Sequence, residues 1–486
     1  MSSVNWWLFS PEIVVAVVAL LVLLADLALP DAASRKGLGV LGLVGAAVAL
    51  VLTVFFALHG AAPAEVFGGL LAFDTIAVWF KLISLATACL VFLFSFSYLD
   101  RWVGRRQGEF YWLILTALLG MMVTAAAQEL VTIYVGIELI SLSFYALVGY
   151  RRDEKESTEA ALKYFLLGSF AIALWLYGAA IIYGLSGSTY LVEIAAGLSG
   201  NFGPLAFAGM FLMIVGFGFK TGLAPFHMWV PDTYQGAPTP ATAYLAVGSK
   251  AAAFAVFMRV MATAFGSHYA DWAVLLGIIA AVTMTWGNIA ALPQTNIKRM
   301  LAYSGVAHAG YTLVGIVALS SVGASAVMFY LFGYLFANLG AFAVVVAFAN
   351  RTGSETIGDY AGLRWRSPFL ALGLAICLLS LAGIPPLAGF LGKLYLFVGA
   401  MQQGGWLMTL VIIAAINSAV SLFYYVNVIR TMYFLPARDE TPIAAPAGVS
   451  VTVVVAMAGV LLASFYFQPI ISSLGAGAAA VLSLVP

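Results

Sequence analysis

The sequence predicts an all-α polytopic membrane protein of fourteen transmembrane helices. The seventh and twelfth are discontinuous, and two inverted five-helix repeats make up the centre. Three observations predict this. The 486 residues are 63% hydrophobic and 8% charged, against about 25% charged in an ordinary soluble chain. Fourteen apolar stretches are long enough to cross a bilayer, which takes about 20 residues. Two of those stretches are broken by Gly and Pro three apart, at Gly222–Pro225 and Gly383–Pro386.

In chain order, stretches at roughly 11–29, 37–60 and 73–98 form an N-terminal three-helix segment, 1–109. Residues 1–34 contain no Lys or Arg, so the basic start of a cleaved signal peptide is missing and the first stretch is expected to be retained. Stretches at roughly 110–127, 129–150, 160–185, 205–230 and 239–265 form the first repeat, 110–265. The run 110–150 is too long for one crossing and is divided at Ala127-Gln128-Glu129, with Glu129 in a solvated turn. Stretches at roughly 271–292, 299–319, 325–349, 368–402 and 405–430 form the second repeat, 266–434. The last, roughly 446–475, gives a C-terminal helix within 435–486. An odd number of crossings, repeated once, enters from the opposite side the second time. That is the geometry of inverted repeats whose discontinuous helices flank mid-membrane ion sites.

The basic residues test the count independently. Of 21 Lys and Arg, fifteen lie in loops or at loop edges: Arg35, Lys36, Arg101, Arg105, Arg106, Arg151, Arg152, Lys155, Lys298, Arg299, Arg351, Arg364, Arg366, Arg430 and Arg438. All fall on odd-numbered loops. Cytoplasmic loops carry the positive excess, so odd loops face the cytoplasm and both termini lie on the other side. The odd loop at 231–238, PDTYQGAP, has no basic residue and carries Asp232, which suits a packed or partner-facing turn. A net charge of +1 argues against nucleic acid as a partner, which needs a basic face. Cys89 and Cys377 are far apart and belong to no cluster that could hold zinc or an iron–sulfur centre.

The stretch 216–240, GFGFKTGLAPFHMWVPDTYQGAPTP, joins a lysine to a helix break. Pro225 has no N–H for the carbonyl of Thr221, and a freed carbonyl in hydrocarbon is tolerated only beside protein or a water-lined cavity. Lys220 beside that break reads as the lining of a hydrated ion pathway. Six basic residues lie inside spans: Lys81, Lys163, Lys220, Lys250, Arg259 and Lys393. Each costs about 2.5–3.5 kcal/mol at a helix centre on insertion scales, so pairing or hydration is expected. Glu138 lies near the midplane of its span as an acidic counterpart. His308 shares a helix face with Ser304 and Tyr311 by i, i+4 and i+7 spacing.

Plainer readings stand beside these. Lys163 is one turn from the cytoplasmic side and Arg259 is near the outer end, and both are long enough to snorkel. Lys81 and Asp74, seven apart, suit a local structural pair. His227, directly after the break, either caps freed carbonyls or takes part in a relay. For Lys220, Glu138, Lys250 and Lys393 the expectation is proton exchange. A lysine's ordinary pKa near 10.4 shifts with burial and with the approach of a carboxylate, so Glu138 moving against Lys220 would switch the amine's hold on its proton. Lys250 and His308 would pass the proton on through bound water, and Lys393 would exchange it with the far side.

These stretches also carry a resemblance. IELISLSFYALVGYRR at 137–152, EAALKYFLLGS at 159–169, FKTGLAPFHMWVPDTYQGAPTPATAYLAVGSKAAAF at 219–254, NIKRMLAYSGVAHAGY at 296–311 and GIPPLAGFLGKLYLF at 383–397 resemble the antiporter-like membrane subunits of respiratory complex I, the bacterial NADH–quinone oxidoreductase. Within them the subunit N type is closest, and the likeness covers nearly the whole chain. It implies that Glu138 and Lys220 are the family's fifth- and seventh-span pair, Lys250 the eighth-span relay lysine and Lys393 the twelfth-span exit residue. Lys163, His227 and His308 match motif positions with less defined roles. A twelfth-span Lys separates the chain from subunit M, and a chain stopping after span fourteen separates it from subunit L.

The resemblance further implies neighbouring membrane subunits M, K and J, and a peripheral arm holding FMN and iron–sulfur clusters that takes electrons from NADH (NAD) to quinone. No cofactor is assigned to this chain, which has no nucleotide fingerprint, and its setting is the bacterial cytoplasmic membrane. Three other functions compete: a subunit of an Mrp-type cation/proton antiporter, a solute permease and a structural scaffold.

Overall fold

The computed structural model describes residues 5–30, 33–59, 64–104, 106–200, 202–437 and 439–482. Arg105 and Arg438, counted above among the loop cations, lie outside the described residues. The N-terminal segment holds α1 (Ser10–Ala28), α2 (Lys36–Leu58) and α3 (Thr75–Trp102). The first half follows with α4 (Gly108–Ala126), α5 (Leu130–Val148), α6 (Lys155–Ser186), α7 (Leu191–Leu198), α8 (Pro204–Thr221), α9 (Val230–Gly236), α10 (Thr239–Tyr244) and α11 (Lys250–Thr263). The second half comprises α12 (Tyr269–Ala291), α13 (Ile297–Val317), α14 (Ser321–Thr352), α15 (Leu363–Arg366), α16 (Pro368–Ala382), α17 (Ala388–Gln403) and α18 (Leu407–Phe434), and α19 (Ala447–Phe465) and α20 (Phe467–Leu482) end the chain.

Among the described residues, thirteen helical stretches are long and apolar enough to cross a membrane. They occupy the predicted stretches except 368–402, where the shorter pair α16 and α17 stands instead. Three features differ from the expectation. Residues Ala64–Val66 (β1) and Leu71–Phe73 (β2) form an antiparallel hairpin in the second loop. Glu129 is buried rather than solvated: its carboxylate accepts from Thr132 N at 2.7 Å and Thr132 Oγ1 at 2.8 Å, capping α5. The turn is also tied to both neighbouring segments, since Gln128 N donates to Leu70 O and Leu191 N to Gln128 O. The last stretch is two helices rather than one, and Pro469 lies in the first turn of the second, the position proline tolerates.

The core lies along α10–α11, α13 and α14, whose residues are almost all buried. α14 packs against α3, α10, α13, α16, α17, α19 and α20. With no hydrophobic drive between helices in lipid, small residues let the backbones approach. A Cβ at Gly287 would lie 2.6 Å from Ala307 N, and one at Gly310 would lie 2.8 Å from Met284 N, so α12 and α13 touch nearly backbone to backbone. α4 packs on α5 and α12 on α13, while α6 packs on α8 and α14 on both α16 and α17.

Candidate functional site

Both breaks are built the same way. Gly222 (φ 77°) and Gly383 (φ 87°) end α8 and α16 in the left-handed region. Gly222 N donates to Phe219 O and Leu223 N to Gly218 O, while Gly383 N donates to Ser380 O and Ile384 N to Leu379 O. These paired bonds are the Schellman arrangement that closes a helix and needs a residue tolerant of positive φ. A third irregularity lies between them: Leu245–Ser249 is one π-helical turn, directly before Lys250. Single π-helical turns inside α-helices are frequent at functional sites.

A buried lysine stands at each irregularity. Lys220, two residues before Gly222, donates to Ser141 Oγ at 2.6 Å and lies 5.6–5.9 Å from the rings of Phe219, Tyr164 and Tyr145. Lys250 donates to the backbone carbonyl of Gly305 at 2.7 Å and faces the Tyr334 ring at 5.9 Å. Lys393 donates to Leu381 O at 3.1 Å, Ala382 O at 3.0 Å and Ser418 Oγ at 3.0 Å, so two carbonyls just before the second break become its ligands. None of the three is more than 7% exposed. Among the described residues their hydrogen-bond partners are all neutral.

His308 is bonded by phenols on both ring nitrogens. Its Nδ1 meets Tyr330 OH at 2.5 Å and its Nε2 meets Tyr425 OH at 3.0 Å. Tyr425 OH also meets Ser304 Oγ, and the Tyr311 ring packs edge-on to the imidazole. Gly305, whose carbonyl holds Lys250, is one turn before His308 on α13, so Lys250 and the imidazole are neighbours. Tyr311 is on the face of α13 that the spacing marked, whereas Tyr330 and Tyr425 come from α14 and α18 and were invisible to sequence reasoning. Their helical positions carry no charge signal.

Glu138 lies one turn before Ser141 on α5 without a hydrogen bond to Lys220, and its Oε1 is buried with no hydrogen-bond partner. It is half-buried, on the side of α5 where Val131, Val135 and Leu142 point outward. His227 is buried against Trp286, and its Nδ1 has no hydrogen-bond partner. It does not cap the Phe219 carbonyl, which receives Trp229 Nε1 at 3.0 Å.

The remaining sequence-selected charges lie elsewhere. Lys163 has a 42% exposed side chain, paired with Glu159 at 2.7 Å and Asp232 at 2.8 Å. Arg299 adds a 2.7 Å bond to Asp232. Burial pushes the Asp232 carboxyl up, but the hydrogen bonds from Lys163 and Arg299 outweigh it and hold the group below the usual carboxylate range. This explains a loop without basic residues of its own: neighbouring helices supply them. Arg259 does not snorkel. It is buried and grips Asp74 with two bonds of 2.7 and 3.0 Å, because the α3 N-terminus brings a carboxylate to it. Lys81 pairs with Glu12 at 2.5 Å rather than with Asp74. Glu12, an acid in the first turn of α1, was the missed partner. An acid heading an apolar stretch was the one available signal. Among the described residues no group of three or more His, Cys, Asp or Glu is arranged to hold a metal ion.

Residues 127–419 match the family model described as NADH:quinone oxidoreductase/Mrp antiporter, TM. The chain is 41% identical to NADH-quinone oxidoreductase subunit N of Desulforamulus reducens over 96% of both chains. It is 44% identical to the same subunit of Trichlorobacter lovleyi, over 95% of this chain and 94% of the relative. Among solved structures it resembles a chain of respiratory complex I from Thermus thermophilus, with TM-score 0.81 and 35% identity, covering 96% of this chain and all of that one. A chain of the Mrp complex from Dietzia shares the fold, with TM-score 0.86 at 17% identity over the full length of both.

Proposed function

The chain belongs to the subunit N family of NADH-quinone oxidoreductases, within the wider NADH:quinone oxidoreductase/Mrp antiporter membrane family, and from that premise we propose how its interior carries protons. It is a multi-pass membrane subunit of a proton-translocating NADH:quinone oxidoreductase, and its partners are the other subunits of that complex. Glu138, Lys220, Lys250, His308 and Lys393 form one proton line through the chain. The redox groups (NAD, FMN, iron–sulfur clusters, quinone) are held by partner subunits, and this chain responds to their turnover. It lies in the bacterial cytoplasmic membrane with both termini outside the cytoplasm, which the basic odd loops support. Residues 110–265 and 266–434 act as inverted repeats, a reading supported by the matching breaks and helix neighbours.

One observation carries the proton line. Lys220, Lys250 and Lys393 are buried and bonded only to neutral groups, whereas the buried Lys81, Arg259 and Lys298 each have a carboxylate. A buried cation with a bonded counter-charge is a structural pair. One held by hydroxyls and carbonyls keeps or loses its proton as its surroundings change. In the first half, approach of Glu138 to Lys220 supplies that change. The proton then passes to Lys250 by water, to His308, whose two nitrogens each face a phenol, and to Lys393. His227 and Lys163 stand beside the line, at the first break and at the cytoplasmic end. The 35% identity to a complex I chain over its full length favours this over an Mrp-type antiporter, where only the fold is shared.

Glu138→Gln tests the switch. In membrane vesicles holding the assembled complex, pumping and quinone reduction should fall together. Undiminished pumping contradicts the reading.

A further inference from the structure

Asn288 is a fully buried residue on α12 that the proton line does not use. A primary amide carries two donor hydrogens and an acceptor oxygen, and burying these unpaired in hydrocarbon is expensive. Here they are all taken. Asn288 Nδ2 lies 3.1 Å from Tyr311 OH, 3.1 Å from the Asn417 carbonyl and 3.2 Å from Asn417 Oδ1. Its Oδ1 accepts from Tyr424 OH at 2.9 Å. Three helices, α12, α13 and α18, thus meet on one side chain.

The consequence lies at Tyr311. The Asn288 nitrogen only donates, sharing its two hydrogens among three acceptors, so the phenol oxygen is on the accepting side of its contact and the far end of the ring is held. The face of that ring is 4.8 Å from the Lys393 amine. Lys393 already has three acceptors, Leu381 O, Ala382 O and Ser418 Oγ, matching the three hydrogens of an ammonium. The Tyr311 ring adds an aromatic face to that shell. A ring face attracts a cation and not a neutral amine, by an amount set by where the ring lies.

We propose that Asn288 is a positioning residue for Lys393: it anchors the Tyr311 ring from the opposite helix and so sets how firmly the Lys393 amine holds its proton. The proposal rests on reading Lys393 as a member of the proton line. Asn288 touches neither the proton's donor nor its acceptor, so its removal displaces the pH dependence of pumping rather than only scaling the rate.

The test uses the assembled complex in membrane vesicles, with pumping and quinone reduction recorded across the active pH range. Asn288→Leu and Tyr311→Phe should each displace the pH profile in the same direction by about half a unit, a roughly threefold change in proton affinity. The double variant should be displaced no further than the larger single one, as expected for residues acting through one contact. A wild-type profile in Asn288→Leu, or displacements that add in the double variant, overturns the proposal. Should Asn288→Leu fail to assemble, Tyr311→Phe decides alone, and an unmoved profile there overturns it. Lys393→Met separates the two levels. If it pumps like wild type, the premise about Lys393 falls. If it stops pumping while the other variants keep the wild-type profile, only the role of Asn288 falls.

Discussion

Lys220 donates to Ser141 at 2.6 Å and not to Glu138, one turn earlier on the same helix. The Ser141 hydroxyl spends its own hydrogen on Ile137 O at 2.5 Å, which leaves a lone pair for the amine. Glu138 meanwhile keeps a buried oxygen without a hydrogen-bond partner. The two groups stand apart with a neutral hydroxyl holding one of them, which under the proposed mechanism is the open state of the pair.

Ser141→Ala removes that hold and leaves Glu138 as the available acceptor for Lys220. A hydrogen bond to a charged group contributes about 1.5–3 kcal/mol. Closure of the pair should therefore slow pumping and coupled quinone reduction by roughly tenfold or more, measured in vesicles with assembly verified by native gel. Rates equal to wild type would show that Ser141 does not hold the pair open.

Gly305 leaves space for the Lys250 amine. An added Cβ would stand 3.1 Å from Nζ and 3.3 Å from Tyr334 OH, so in Gly305→Ala the amine must shift while its carbonyl ligand stays. Misplacing a reacting group by about 1 Å can cost roughly a hundredfold in rate. Pumping should drop by roughly ten- to a hundredfold in an assembled complex. Full activity would place Lys250 outside the line.

Lys163 should behave differently from the other intramembrane lysines. Its partners Glu159 and Asp232 are accessible, and exposed ion pairs contribute only about 0–1 kcal/mol. Lys163→Ala should leave pumping within a few-fold of wild type. A loss as deep as that of Lys220→Ala would place Lys163 in the line itself.

The Asp74–Arg259 pair gives a prediction about stability. Arg259 is buried and grips the Asp74 carboxylate with two bonds of 2.7 and 3.0 Å at the head of α3. Asp74→Asn leaves Arg259 buried and unpaired, a loss of about 3–5 kcal/mol. Thermal denaturation of the purified complex at neutral pH should show it, and equal stability would argue that water replaces the carboxylate.

Much of this molecule was legible in its sequence because hydrocarbon is a demanding solvent. It requires long apolar runs, keeps Lys and Arg at the ends, and tolerates Gly222–Pro225 and Gly383–Pro386 only where something takes the freed carbonyls. Lys220, Lys250 and Lys393 stood out for the same reason. Sequence reasoning stopped where partners are far apart in the chain. Arg259 looked free to reach the surface because Asp74 is 185 residues away. Lys81 was matched to Asp74 because Glu12 lies on another helix, and Glu129 was read as solvated before its capping bonds were visible. Ser141, Tyr330, Tyr425 and Asn288 carry no charge and resemble ordinary helix residues until the fold brings them to the lysines.

Buried lysines that bond to no carboxylate among the described residues are proposed to exchange the translocated proton. The most direct measurement is proton pumping and quinone reduction recorded together in vesicles carrying Lys220→Ala. Both should fall together by at least about tenfold, a loss of about 1.4 kcal/mol or more in the coupled step, while the complex remains assembled. Pumping and electron transfer both at wild-type rates would contradict it and leave the lysines a structural role.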